Sequence, residues 1–441
     1  MADDVVERTF DPDSRIELPG DTTVYQLPYA TVACAPSIAR WIVLTRRPGA
    51  DLLNLLRQGT PIRQAVRQIE AGCGEAEAQT ALEELLAEII DKEFESGAAV
   101  QPDLSPSPYI IISLNVTNAC NLRCVTCYRF SGPPDTNELG QDEWLRVLRE
   151  HYELGGKVVK ISGGEPLYRD RQLVYDLIRT AKTRGMHTLL LSNGLLIDKP
   201  TALALDEAGL ERIQISLDGP DRETNDRIRG DGVFEKVLEA LAHLCDSTRI
   251  EVYLAMLPVP GISLEALQGR GAEFAAQLRA RFGQRLTISV SQGILDGREV
   301  CHEESLAFVR ACRGLQDKLG TPQTTAGHDL WQWEPGRRNL SCGYGRTLGI
   351  EPNGSVWACA GGEVVGNVRD MSLSAIGEKL RAIALSYTVD ALEECGKCAL
   401  RYLCGGPCRV RPDVCTEGKK YDLLGRLICS NALRYKITED A

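Results

Sequence analysis

Between residues 109 and 291, six short runs rich in β-branched residues alternate with helical stretches. The runs are YIIISLNV, KVVKIS, HTLLLS, RIQISL, RIEVYLAML and RLTISVS; the helical stretches lie near 141–153, 170–184, 201–208, 233–246 and 264–281. That rhythm permits few folds. Strands joined through helices are parallel with right-handed crossovers, so the segment predicts an α/β parallel sheet. Six strands are too few to close an eight-stranded barrel, and a partial, open (βα)6 barrel of TIM type is expected over 109–300. Sites in such sheets lie at the C-terminal ends of the strands.

The flanks read differently. Residues 23–46 carry β-formers, and three helical patterns follow: GADLLNLLRQG, PIRQAVRQIEAG and EAEAQTALEELLAEIIDKEF. Pro61 suits a first helical turn, and Gly59, Gly72 and Gly97 stand where helices should stop. This predicts a winged-helix-like α+β domain over 1–100, with QPDLSPSP (101–108) as linker. Residues 301–335 read as a connecting helical segment. From 336 to 441 the chain is rich in Cys and Gly and short of periodic elements, so metal is expected to hold it together.

Hydrophobic residues make up 43% of the 441 and charged residues 25%, the balance of a soluble globular chain. The formal charge of −11 speaks against nucleic acid and anionic membranes as partners. No apolar run is long enough to span a bilayer and the acidic start is no secretory signal, so a cytoplasmic location is expected. Sixteen cysteines there point to metal binding or catalysis rather than disulfides. Cys34, Cys73, Cys245, Cys301 and Cys312 are scattered and read as small buried side chains; the other eleven fall in 120–127 and 342–429.

The stretch NACNLRCVTCYRF places Cys120, Cys124 and Cys127 within eight residues, directly after the first strand of the alternating segment. Three thiolates can hold three irons of a cubane cluster and leave the fourth open to a ligand; zinc is the other reading. Three more motifs end the next three strands in order: SGGEP (Ser162 to Pro166), SNG (Ser192 to Gly194) and SLDG (Ser216 to Gly219). Together these residues resemble the radical S-adenosylmethionine (SAM) enzymes, whose signature is C-x3-C-x-aromatic-C. The resemblance implies a [4Fe–4S] cluster on Cys120, Cys124 and Cys127 whose open iron chelates SAM. Reductive cleavage of SAM then gives a 5′-deoxyadenosyl radical that takes a hydrogen atom from substrate. It further implies SAM contacts at Gly163, Gly164, Glu165, Ser192, Asn193, Ser216 and Asp218. Arg229, in a polar loop, would pair with the SAM carboxylate. The chain departs from the signature at Thr126, which stands at the aromatic position; Tyr128 follows the last cysteine instead.

Cys342 is followed by eleven residues, Gly354, four residues and Cys359. Then come Cys395-x2-Cys398-x5-Cys404-x3-Cys408 and, twenty residues on, Cys429. C-x2-C is also a zinc-ribbon spacing. The whole pattern resembles the SPASM domain, which implies two auxiliary [4Fe–4S] clusters and so three in all. By position, Cys395, Cys398, Cys404 and Cys429 would hold the distal one, and Cys342, Cys359 and Cys408 the nearer one. The fourth ligand of the nearer cluster stays open, with Cys415 as one choice.

The N-terminal layout is similar to the PqqD-like recognition element of ribosomal peptide maturases, where a leader peptide adds as a strand to the sheet edge. The function implied is radical SAM modification of a precursor peptide, forming a thioether or carbon–carbon crosslink, with flavodoxin or ferredoxin as reductant. A sulfatase-type formylglycine maturase and a peptide epimerase are alternatives; the Asp that such maturases carry after the Gly-x4-Cys cysteine is Ala360 here. A non-catalytic peptide-binding or electron-transfer iron–sulfur protein is the alternative of another class. The five histidines follow no ligand spacing, and no general base stands out.

Overall fold

The computed structural model describes residues 10–27, 30–100, 110–291, 296–301, 306–320, 336, 338, 348–359 and 362–406. The chain divides into two compact units: Met1–Leu104 with Gln332–Cys342 and Ser386–Ala441, and Ser105–Trp331 with Gly343–Leu385.

In the first unit, β1 (Thr23–Leu27), β2 (Ala30–Ala35) and β3 (Arg40–Leu44) form an antiparallel meander, followed by α1 (Arg47–Arg57), α2 (Ile62–Cys73) and α3 (Glu75–Asp91). Gly72, expected as a stop, lies inside α2; the helix ends at Gly74, whose φ of 85° a residue with a Cβ adopts only with strain. Ala33, Ala35, Ile42 and Leu44 pack on Leu52, Leu53, Leu56, Leu85 and Ile89 from the helices. The other face, Val32, Cys34, Trp41 and Val43, is covered by Leu400 and Leu403. Burial on both faces is why β2 and β3 are apolar at nearly every position, broken only by Thr31 and Arg40, rather than alternating.

In the second unit, β4 (Ile111–Asn115), β5 (Val158–Ser162), β6 (His187–Ser192), β7 (Arg212–Ser216), β8 (Glu251–Met256) and β9 (Leu286–Val290) pair in chain order and in parallel. This is the parallel α/β sheet that the rhythm predicts. The connections hold α4 (Gln141–Glu153), α5 (Pro166–Arg169), α6 (Arg171–Thr183), α7 (Lys199–Ala208), α8 (Arg222–Arg229), α9 (Val233–Ser247) and α10 (Leu264–Phe282); α11 (Leu306–Lys318) follows. Along each strand, buried residues such as Ile112, Val159 and Ile161 alternate with half-buried ones such as Ser113, Lys160 and Ser162.

The sheet is larger than predicted. Three short strands, β10 (Leu348–Ile350), β11 (Ser355–Trp357) and β12 (Val364–Asn367), extend it to nine, in the order β12-β11-β10-β4-β5-β6-β7-β8-β9, with β10 parallel to β4. The helices α12 (Leu373–Ser386), α13 (Glu393–Gly396) and α14 (Arg401–Cys404) complete the described chain. The region expected as one cysteine-rich domain is therefore divided. Residues 343–385 group with the parallel sheet because β10 pairs with β4; α14 groups with the N-terminal meander because Leu400 and Leu403 pack on it. Of the five scattered cysteines, Cys34 and Cys312 are buried, Cys73 and Cys245 half-buried, and Cys301 exposed, against expectation. Among the described residues no helix is long and apolar enough to cross a membrane.

Candidate active site

Cys120, Cys124 and Cys127 lie in the loop that leaves β4. Its start is bonded to the exit of β5: Gly164 N donates to Thr117 O (2.8 Å) and Glu165 N to Ala119 O (2.8 Å). Both SGGEP glycines are needed for this. Gly163 sits at φ 134°, and a Cβ on it would fall 2.4 Å from Thr117 O; one on Gly164 would fall 2.3 Å from Ala119 O. The close approach that these glycines allow is made to the backbone that leads into the first cysteine. Cys120 N donates to Gly132 O (2.8 Å), Val125 N to Ile228 O (3.0 Å) and Cys127 N to Cys124 O (3.2 Å), so the loop is fixed on both sides.

Glu165 is fully buried and joins three motifs. Its carboxylate accepts from Ser192 Oγ (3.0 Å), Asn193 N (2.8 Å) and Leu167 N (3.2 Å). Burial pushes its carboxyl up to about 7, against the pull of those donors. The Asn193 amide donates to Asn121 Oδ1 (2.8 Å) and reaches within 4.0 Å of Cys120 Sγ. Ser216 ends β7, and Asp218 is buried just beyond it.

Arg229 stands elsewhere than predicted. It is the last residue of α8, a polar helix capped by the Asp221 side chain on Thr224 N (3.0 Å), not part of a loop. Its Nε lies 2.8 Å from Asp218 Oδ2, with both side chains nearly out of solvent. Burial raises the Asp218 carboxyl, while on Arg229 the effect of burial is outweighed by Asp218 and Cys124, which hold the guanidinium charged.

Three further contributors carry no sequence motif. Glu138 has a fully buried side chain and accepts from Thr117 Oγ1 (2.9 Å), Asn118 N (2.7 Å) and Asp135 N (3.0 Å); it also pairs with Arg169. Glu351, just after β10, accepts from both Arg129 terminal nitrogens (2.5 and 3.2 Å) and from Asn115 Nδ2 (3.0 Å). The segment 296–301 lies along the loop: Glu299 N donates to Val125 O (2.8 Å), and a Cβ on Gly297 would fall 2.7 Å from the Thr126 carbonyl carbon. Thr126 is accordingly buried, while Tyr128 and Phe130 stay exposed. A lone Glu in a turn-rich stretch such as PPDTNELG has no periodic signal, and nothing in the sequence singles out Glu138.

The donor set suits an iron–sulfur cluster. All three thiols are free and half-buried. Burial raises Cys120 to about 11 and raises Cys124, and neighbouring thiols of the loop raise both further. Thiols that oppose one another's ionisation are close neighbours, and a metal that takes them as thiolates relieves that repulsion. Among the described residues no three ligand groups close on one metal ion.

In the second region Cys359 is exposed, and Cys395, Cys398 and Cys404 are half-buried. Cys398 N donates to Cys395 O (2.9 Å) and Cys404 N to Leu400 O (2.8 Å), so two short helical turns present the three. Burial raises the Cys34 thiol and Cys398 adds to it, placing a cysteine of the meander next to this segment. Cys342, Cys408, Cys415, Cys429 and Ala360 lie outside the described residues.

Residues 114–269 match the sequence model of the Radical SAM superfamily. The chain carries a radical SAM domain. Residues 342–399 match the SPASM iron–sulfur cluster-binding domain. In fold and domain content the chain is a radical SAM superfamily enzyme, and its two domains imply SAM and [4Fe–4S] clusters. It is 38% identical to Fe-coproporphyrin III synthase of Methanosarcina barkeri, but over 146 residues, 33% of this chain and 36% of that one. It is 28% identical over 360 residues to AdoMet-dependent heme synthase of Oleidesulfovibrio alaskensis, 72% of this chain and 87% of the relative. Mycofactocin maturase MftC of Mycolicibacterium smegmatis is 29% identical over 270 residues, 57% and 64%. In fold, the chain resembles Streptococcus suis SuiB bound to S-adenosylmethionine, with a TM-score of 0.54 and 16% identity over 91% of this chain and 98% of that one. SuiB is also known bound to its precursor peptide SuiA, a likeness at TM-score 0.52 and 15% identity over 90% and 96%.

Proposed function

We propose that this radical SAM enzyme modifies a ribosomally made precursor peptide, with its N-terminal meander as a PqqD-like leader-binding domain and with three [4Fe–4S] clusters. The observation that carries the reading is the extent of the fold likeness to SuiB. At 91% of the chain it is too long to leave out the whole N-terminal unit, and SuiB is a protein with a peptide complex. When bound at the open iron, SAM supplies a hydrogen-abstracting carbon radical. The chain's residues do the rest. Glu138, Glu351 and the SGGEP backbone fix the cysteine loop; Glu165 and Asn193 fix the neighbouring strand end; Ser216, Asp218 and Arg229 line the next. Each crosslink removes two hydrogens from the peptide, one as the abstracted atom and one as a proton plus an electron. The electron needs an acceptor, a role that auxiliary clusters held in the SPASM region would supply. A flavodoxin or ferredoxin supplies the electron for SAM cleavage. In the meander, Glu88 and Glu84 of α3 accept from Val43 N (2.9 Å) and Thr45 N (2.8 Å), so a leader strand that adds along β3 has to displace them.

The test is anaerobic reconstitution with SAM, a reductant and short peptides encoded beside the gene. A thioether or carbon–carbon crosslink lowers peptide mass by two units per link. An unchanged mass with a stereocentre inverted would mean epimerisation and sink the crosslink. The heme synthase relative, aligned over 72% of this chain, favours a second reading in which the substrate is a tetrapyrrole. Under the same conditions, conversion of an iron coproporphyrin with no change in any peptide would decide for it.

A further inference from the structure

The half-exposed face of the parallel sheet carries a cation with nothing to pair it. Gly349 on β10, Ser113 on β4 and Lys160 on β5 stand in register across three strands. Partners in a parallel pair present the same face, and here it is the half-exposed one, opposite the buried Ile112, Val159 and Ile161. The Lys160 ammonium has no hydrogen bond or ion pair among the described residues. Burial lowers its pKa, and no neighbouring charge contributes in either direction. A desolvated ammonium without a partner costs the fold stability, so its place needs a reason. The floor beside it is made of small residues: a Cβ added at Gly349 meets no described atom within 4 Å. One step up the strands, Asn115 and Ser162 stand side by side where the cysteine loop and SGGEP begin.

We propose that Lys160, with the space over Ser113 and Gly349, is an anion subsite that takes a carboxylate of a ligand bound at the radical SAM site. The proposal rests on the radical SAM reading for that ligand's presence. Two sources offer a carboxylate: the methionine end of SAM and an acidic group of the substrate. Arg229, the cation the sequence assigns to SAM's carboxylate, is buried against Asp218. Lys160 on this face is unpaired and stands one layer below the strand ends.

The experiment uses the full chain, reconstituted without oxygen, as wild type, Lys160→Met and Lys160→Arg. Equilibrium dialysis follows SAM, decarboxylated SAM and glutarate, the last as a probe for a substrate carboxylate. If SAM is the source, Lys160→Met weakens SAM about tenfold or more, and Lys160→Arg recovers most of it. Wild type then binds decarboxylated SAM about as weakly as the Met variant binds SAM. If the substrate is the source, glutarate binding disappears in Lys160→Met and returns in Lys160→Arg, with SAM unaffected. Neither ligand responding to the substitution, including a wild type that binds no glutarate, overturns the subsite. Lys160→Met should melt at or above the wild-type temperature, since it removes an unpaired, partly desolvated charge. A fall of more than about 5 °C would mean a structural ammonium and overturn the subsite as well. Wild type that holds glutarate through Lys160 but neither binds nor cleaves SAM would sink the radical SAM reading and leave the subsite standing.

Discussion

Cys120 and Cys395 each open a run of three closely spaced cysteines, yet the two runs are held by different forces. Around Cys120, Cys124 and Cys127 the restraint is polar: backbone bonds to the exit of β5, and the carboxylates Glu138 and Glu351 clamped on the loop. Around Cys395, Cys398 and Cys404 apolar packing is added to the local backbone bonds: Leu400, which caps the turn α14, and Leu403 within it pack into the meander beside Val32, Trp41 and Val43. A hydrogen-bonded loop at a strand end is fixed in direction, as a site that must aim one reactive atom needs. A packed helical turn is fixed in position and tolerant of angle, which would suit the electron-passing cluster proposed for these cysteines.

The largest expected effect tests whether the two runs are separable. Replacing Cys120, Cys124 and Cys127 together by Ala should remove about four irons and end 5′-deoxyadenosine formation. Replacing Cys395, Cys398 and Cys404 together should also remove about four irons but leave SAM cleavage measurable. Iron analysis and chromatography of the nucleoside decide it. If both triples abolish cleavage, the separation fails.

Glu138→Ala comes next. It leaves Asn118 N and Asp135 N without their acceptor and Arg169 without its partner, so unfolding free energy in urea should fall by about 3–5 kcal/mol. Iron should be lost from the first site before the second. Loss in the reverse order would mean that the loop is not polar-held.

These tethers also mark where the sequence stops being legible. The six parallel strands could be read because each has a run of β-branched residues bounded by turns, and the cysteines could be read because spacing alone defines them. The strands β10, β11 and β12 have three or four residues each, too few for a period, and β10 finds its partner β4 far back in the chain. The helix RETNDRIR is almost wholly polar, so nothing apolar announced α8, and Arg229 looked like part of a loop. By contrast, α12 buries Leu373, Ile376 and Leu380 at helical spacing, a pattern present in the sequence and missed beside so many Cys and Gly. Glu138 and Glu351 act by burial and by partners from elsewhere, and a single acid in a loop states neither.

Leu400→Ala should act on the other side of the comparison. Leu400 is 1% exposed in the apolar contact that carries the second run. The truncation should cost about 2–4 kcal/mol, the range for a buried Leu that leaves a cavity. The iron lost should belong to the second run, with SAM cleavage retained. Equal loss from both runs would mean that the packing supports more than its own segment.

The smallest effect is the most informative about how the two domains are linked. Glu351 lies within the segment matched to the SPASM domain, but its carboxylate serves the radical SAM loop through Arg129, two residues past Cys127. Burial alone would lower the Arg129 pKa; Glu351 reverses that and holds it up. The side chains are 13% and 21% exposed, so solvent screens the pair only in part. Glu351→Gln keeps the shape and one acceptor oxygen while removing the charge. About 2 kcal/mol of stability should go, less than a fully buried pair would lose and more than a surface pair. The change should slow SAM cleavage without removing iron from either run, because the thiols stay while the loop loses one restraint. If neither stability nor cleavage changes, β10 only extends the sheet. If iron leaves the second run instead, Glu351 belongs to the auxiliary region, and the polar frame of the first run ends at Glu138.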